Sequence, residues 1–369
     1  MVRLLLAAML AAPPAFAQSS FALSGFPVSA HEVGVSQALA AGPSDNPYAI
    51  RHNPALLADA GERPALRFSA GLAPDFVGVD DLLLGSSAAS IGIDAGEVGG
   101  GSLRIGLGGS YTELRSTLRL IGPSIGEIEY DTQEREITGG LALGWDGPVH
   151  VRFGANADVR ESFAIPPDLS LPEDLERDRT TTLDVGAAVS YPLLTGPSGD
   201  GEIAPEVEIT GAAVLRNLAV LSEDFSARPA NGVRGANTFG VSVRAAHVRQ
   251  LGRRGRFHLV EGDVRAEPFN GSDIRAGEAR LAGTVILAEI LAVRAGYAAP
   301  ESRGSDPFVS LGAELRIDGV VRAVGAQQKS ASMLALADRL TTRFEVAVLR
   351  VGETIGETTV YGVTFGWRP

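Results

Sequence analysis

Strict period-2 alternation, repeated in many segments, is the feature that most constrains this chain. From Val149 to Arg160 every odd position (Val149, Val151, Phe153, Ala155, Ala157, Val159) is apolar, and every even position is polar or Gly. A helix would scatter those apolar residues over different faces, whereas a strand places them all on one. The pattern returns at Leu183–Tyr191, Val207–Leu215, Phe239–Ala245, Ala279–Leu287 and Val309–Ile317. Further strands are expected near 65–72, 102–111, 134–145, 256–266, 291–298, 341–351 and 358–367. The set fits about 14 strands of ~10 residues, the pattern of a transmembrane antiparallel β-barrel. The expected fold is therefore all-β, with the barrel over residues 61–369.

A soluble β-sandwich also alternates, but its strands are usually shorter and its polar faces meet bulk water. Here the polar faces carry charges of both signs at mid-strand: Arg152, Asp158, Asp184, Glu206, Glu208, Arg244, Glu278, Arg280, Arg294, Glu314 and Arg316. Such faces suit a wet lumen crossed by ion pairs, which favours a blocked, non-conducting barrel. A contiguous apolar interior, which a pocket for apolar ligands requires, is not evident in the sequence.

The first residues indicate export. Arg3 supplies a positive start, Leu4–Ala12 an apolar run, and Ala15-Phe16-Ala17 an A-x-A cleavage site, so residues 1–17 read as a signal peptide. Pro13 and Pro14 interrupt the run, and no later stretch approaches the ~18 apolar residues of a membrane-spanning helix. With an exported barrel, the expected location is the cell outer membrane of a Gram-negative bacterium, with lipid as the immediate partner. The chain has no Cys, which removes disulfides, thiolate ligands and a lipid-modified cysteine. A net charge of −12 runs against a nucleic-acid partner, whose footprint is basic.

The C-terminal segment alternates too, with Tyr361, Phe365 and Trp367 on one side, as in a closing barrel strand, although Arg368 and Pro369 follow the last aromatic. Forty-five Gly and 21 Pro without a low-complexity block point to many turns. Gly147-Pro148, Gly196–Gly199 and Asn270–Asp273 read as such turns. The acidic, Pro-containing stretch from Phe163 to Thr180 reads as a long loop, solvated rather than cation-binding. The Ala/Leu-rich residues 330–340 fit a short helix or a loop equally.

Chemistry-bearing motifs are missing. The sequence has no H-E-x-x-H, P-loop, G-x-S-x-G or EF-hand spacing. The five His residues have no metal-ligand spacing, and Gly99-Gly100-Gly101 precedes a strand rather than a helix. No cofactor, metal site or catalytic residue is expected, and the chain does not read as an enzyme.

Between the signal peptide and the first strand lies Asp45-Asn46-Pro47-Tyr48-Ala49-Ile50-Arg51-His52-Asn53-Pro54-Ala55-Leu56-Leu57. Taken alone, Asn53-Pro54 is an ordinary turn. Together with Gly154–Arg160, Leu183–Gly186, Gly211–Leu218 (ending Arg216-Asn217-Leu218), Leu291–Tyr297 and Ser310-Leu311-Gly312, it resembles the FadL superfamily of outer-membrane barrels, in particular its PorV/PorQ-like branch. Asp158 stands where that family commonly has Lys, and Ala219 where it has Gly. The resemblance implies that residues 18–60 form a plug or hatch inside the barrel, centred on Asn53, Pro54 and Ala55. The Asn53 amide would hold it by bonding backbone groups. It implies two functions: handling of secreted cargo with type IX secretion components, the preferred expectation, or transport of hydrophobic small molecules. A purely structural barrel is the third.

Overall fold

The computed structural model describes residues 27–42, 46–62, 66–74, 82–122, 126–165, 177–224, 236–251, 255–270, 278–300, 307–328, 330–351 and 355–368. The expected signal peptide and most of the acidic stretch Asp168–Asp178 lie outside these.

Fourteen antiparallel strands close into one barrel, each pairing with its sequence neighbours and the first with the last. They are β1 Leu66–Ala73, β2 Leu83–Val98, β3 Gly101–Gly122, β4 Gly126–Asp146, β5 His150–Ile165, β6 Arg177–Thr195 and β7 Ile203–Asp224. The circle continues through β8 Ala236–Leu251, β9 Gly255–Asn270, β10 Glu278–Leu287, β11 Leu291–Pro300, β12 Phe308–Arg316, β13 Leu340–Val351 and β14 Ile355–Trp367. Closure leaves no unpaired edge, which is what lets a sheet stand in hydrocarbon. The alternation sorts as its periodicity requires: Ile137, Leu141, Leu143 and Phe153 project outward and are exposed, while Glu136, Thr138, Arg152, Asn156 and Asp158 are buried inside. No helix is long and apolar enough to cross a membrane among the described residues.

Strand β2 carries no alternation of large residues. Its centre, Gly85-Ser86-Ser87-Ala88-Ala89-Ser90, is small on both faces, so hydropathy alone does not mark it. The strands are also far from uniform. Strands β3, β4, β6 and β7 run for 22, 21, 19 and 22 residues, against 8 to 10 for β1, β10, β11 and β12. Crossing a bilayer takes about 9–11 tilted residues, so the wall is tall on one side and low on the other. The expected loop from Phe163 to Thr180 is correspondingly shorter, because β5 runs on to Ile165 and β6 begins at Arg177.

Strands joined by the longer connections 166–176 and 225–235 meet at one end of the barrel; the short connections 99–100 and 147–149 lie at the other, where β1 begins and β14 ends. By the usual rule the first is the outer end and the second the inner. One inner connection differs. Between β12 and β13 lie helices α3 (Ile317–Gln327) and α4 (Ala331–Arg339), the latter capped by Ser330, which accepts from the Met333 N–H at 3.4 Å. Residues 331–339 are thus helical, and α3 begins where alternation suggested a strand ending at Ile317. Its buried face is Gly319, Arg322 and Gly325, a small-and-polar stripe that periodicity of apolar residues does not reveal.

Candidate functional site

The described residues of the N-terminal segment 27–62, 27–42 and 46–62, sit inside the barrel. The segment comprises a short helix α1 (Ala30–Gly34), a single helical turn α2 (Ala49–His52) and a 3-10 helix Pro54–Glu62. Ser29 and Glu32 form a capping box at the first helix. Val33, Val35, Ile50, Asn53 and Ala55 are completely buried.

Asn53, Pro54 and Ala55 lie against Gly154 and Gly186, the fifth of the fourteen β5–β6 rungs counted from the inner end. The Asn53 Nδ2 donates to the Ala40 carbonyl at 2.7 Å, and its Oδ1 accepts from the Ala55 N–H at 3.0 Å. The amide therefore bonds backbone groups of its own segment, joining the stretch before residue 43 to the one after residue 46. It does not tie the segment to the wall. Other residues supply that tie. Asn156 donates to the Ile50 carbonyl at 2.7 Å, Arg216 to the carbonyls of Arg51 and His52 at 3.1 and 3.2 Å, and Ser242 to that of Ala41 at 2.8 Å. Arg280 donates to the Gln37 carbonyl at 3.1 Å, while Glu267 accepts from the Ala40 N–H at 2.6 Å. Each satisfies a backbone group that burial in the lumen would otherwise leave without a partner.

The wall gives way to the segment at glycines. A methyl group at Gly154 would collide with the Pro54 carbonyl group, one at Gly186 with Asn53 Oδ1, and one at Gly106 with Leu57. At Gly296 it would lie 2.6 Å from the Ser36 nitrogen.

Arg216 reaches inward in the ordinary alternation of β7, and a bulge just beyond it brings Asn217 inside as well. Pairing jumps from Leu183↔Ala219 to Val185↔Leu215, and Asn217 adopts a φ of +51°. The Asn217 N–H is caught by the Asp184 carboxylate at 2.7 Å, a site role for Asp184 that the sequence does not announce.

Charges knit the segment further. Arg51 donates through Nε to Glu136 at 2.7 Å and lies 3.5 Å from Glu32, whose Oε1 is 2.7 Å from His52 Nε2. Burial alone would raise the Glu32 carboxyl. The attraction of His52 and Arg51, with hydrogen bonds from His52 and the Val28 N–H, outweighs it and holds Glu32 below the usual carboxylate range. Burial pushes the His52 imidazole below its ordinary value, against the pull of Glu32. His52 is thus neutral at pH 7 and donates its Nε2 hydrogen to ionised Glu32, a tautomer assigned from the carboxylate acceptor.

The remaining charged residues also lie inside the barrel wall. Arg152 pairs with Asp59, Asp158 accepts from Thr138 at 2.5 Å, and Arg280 pairs with Glu278 at 2.8 Å. Arg294, Arg316 and Arg343, on three adjacent strands, all pair with Glu314. Most of these groups belong to the inner half of the lumen, where a cavity of about 300 Å³ is bordered by Arg244, Glu261, Asp263 and Arg265 and, from below, by Asp338 and Arg339 of α4.

The outer half is different, and the expectation of no contiguous apolar interior is corrected there. Ala73, Leu84, Ala88, Ala347, Leu349 and Val360 form one buried cluster with Val28, Ala30, Val33 and Tyr48 of the segment, and Leu114 and Phe308 join it. Strand β13 shows the change directly: its lumen side passes from Arg343 and Glu345 to Ala347 and Leu349 toward the outer end. Alternating Ala with Leu or Val is a modest sequence signal, easily masked by the charged residues two positions away.

No family model matches this sequence, and no curated protein matches it. Solved barrels align over nearly the whole chain. The Pseudomonas putida toluene transporter TodX shares 10% identity with a TM-score of 0.44, covering 95% of this chain and 99% of that one. A Pseudomonas aeruginosa FadL homologue shares 11% at 0.44 (96% and 100%), and the monoaromatic hydrocarbon channel CymD 12% at 0.45 (95% and 99%). The transport unit of the Escherichia coli autotransporter AIDA-I also aligns, at 11% identity and a TM-score of 0.38, covering 83% and 90%. These likenesses assign no family.

Proposed function

We propose that this chain is an outer-membrane barrel that admits small hydrophobic molecules into the apolar outer half of its lumen, with the N-terminal segment as a movable plug. The observation that carries this reading is the apolar cluster on β1, β2, β13 and β14, closed from below by Val28, Val33 and Tyr48. A hydrophobic solute gains free energy by entering such a surface, at roughly 25 cal/mol per Å² removed from water. The charged inner half offers no such gain, so Arg152, Asp158, Asp184, Glu278, Arg280, Arg294, Glu314 and Arg316 act as a scaffold holding the plug in register. Passage then requires the segment 27–62 to shift. Handling of secreted cargo rests on the sequence resemblance alone, and nothing among the described residues adds to it.

The experiment is accumulation of a radiolabelled apolar compound, and of a hydrophilic one of similar size, by cells with and without the protein. Faster entry of the apolar compound alone supports the proposal. Equal entry of both, or no difference between the strains, overturns it.

A further inference from the structure

The tall side of the wall carries a second ordered feature on its outer surface. On β3 to β6 the outward rungs from Leu103↔Trp145↔Val151↔Val189 up to Tyr111↔Ile137↔Val159↔Thr181 hold apolar side chains apart from Gly109, Gly139 and Thr181. That height matches an apolar band of about 25 Å. One step further out, the rung reads Glu113↔Arg135↔Glu161↔Arg179↔Asp224, alternating in charge across the five strands β3 to β7. Arg135 lies 3.6 Å from Glu113, Arg179 lies 3.5 Å from Glu161, and Arg115, two residues along β3, lies 2.9 Å from Glu113. The three arginine side chains are 38%, 49% and 61% exposed in that order.

We infer that Arg115, Arg135 and Arg179 form a binding surface for phosphorylated lipid headgroups of the outer leaflet. The surface continues the lipid-facing belt, so its occupant is a molecule of the surrounding bilayer, at the depth where acyl chains give way to headgroups. Three guanidinium groups stand exposed at the border of the lipid-facing belt, with Glu113 and Glu161 as their paired carboxylates and Asp224 of β7 opposite Arg179 in register. Exposed ion pairs of this kind are weak, so the carboxylates yield readily to a phosphate, which a guanidinium grips with two parallel hydrogen bonds. The low wall of β10 to β12 ends too soon to present a matching rung. This inference rests on the barrel and its register, and does not depend on what passes through the lumen.

The test is native mass spectrometry of the full barrel released from phosphatidylcholine nanodiscs containing either diphosphoryl lipid A or its dephosphorylated counterpart. The expected result is selective retention of the phosphorylated lipid, weakened about tenfold (~1.4 kcal/mol) in an R115Q/R135Q/R179Q variant. Arg249→Gln, an outward-facing change at the inner boundary, leaves retention unchanged. Heat-modifiable gel mobility reports assembly, and Arg115→Gln alone serves if the triple variant does not assemble. Equal retention of both lipids by the unmodified protein overturns the inference, as does undiminished selectivity in an assembled variant.

Discussion

The Asn53 side chain lies directly over Gly186 of β6, with its Oδ1 in the space that a β-carbon at residue 186 would occupy. Gly186→Ala therefore leaves the strand ladder intact and expels the segment. Overpacking of this sort costs about 1–3 kcal/mol. The expected result is a normally assembled barrel whose segment 27–62 is cleaved faster by protease. Gly139→Ala, a change on the same wall that meets open space, has no such effect.

Asn53 and Asn156 hold different things, and their substitutions separate accordingly. Asn53→Ala breaks the tie between Ala40 and Ala55, while Asn156→Ala removes the wall donor to the Ile50 carbonyl. Each leaves buried groups without a partner, at about 1–3 kcal/mol. Mapping of protease cleavage is expected to show Asn53→Ala opening the segment near residues 40–46. Asn156→Ala opens it near residue 50. Identical cleavage maps contradict these assignments.

Much of the barrel is legible in the sequence because one physical rule, apolar outside and polar inside with period 2, applies to nearly every strand. It fails at β2, where small residues occupy both faces, and at α3, whose packed face is Gly319, Arg322 and Gly325. Of the site, Asn53-Pro54-Ala55 stands out locally. The wall residues that hold the rest of the segment, Asn156, Arg216, Ser242 and Glu267, come from distant strands, and only closure of the barrel brings them together. Asn217 turns inward beside Arg216 at a bulge, which breaks the alternation used to find strands. The outer apolar patch escapes notice because its members come from β1, β2, β13 and β14, opposite ends of the chain.

Acid loosens the segment. The buried His52 has a lowered pKa, so once pH falls below its ordinary value of 6.5 the released segment takes up a proton that the docked one does not. Glu32, also lowered, adds stability that is present above 4.5 and is lost as pH falls through its docked value. Both effects have the same sign. Protection of the amides of residues 27–62 against hydrogen exchange, taken relative to the intrinsic rate at each pH, is expected to fall as pH drops from 7 to 4, starting near 6.5, and His52→Gln removes the first phase. Protection that stays constant or rises on acidification contradicts the assignment.

The lipid face tolerates charge poorly. Leu141 projects outward at mid-height between Leu107 and Ala155 and is 52% exposed, while its neighbour Ala142 is buried inside. Leu141→Arg is expected to cost about 2–4 kcal/mol near the bilayer midplane. The measurement is urea unfolding in lipid vesicles, compared with Arg135→Gln at the charged rung, where the change is small.

Movement of the plug is the central claim, and a reversible lock tests it most directly. The Ser36 and Ser310 hydroxyl oxygens, on segment and wall, lie 2.8 Å apart, and the chain has no cysteine of its own. An S36C/S310C variant therefore carries one disulfide at one known place. Uptake of a radiolabelled apolar compound is measured in vesicles bearing this variant, oxidised and then reduced. The account predicts that oxidation stops uptake and reduction restores it to the rate of the unmodified protein. Uptake that continues undiminished with the disulfide closed contradicts it.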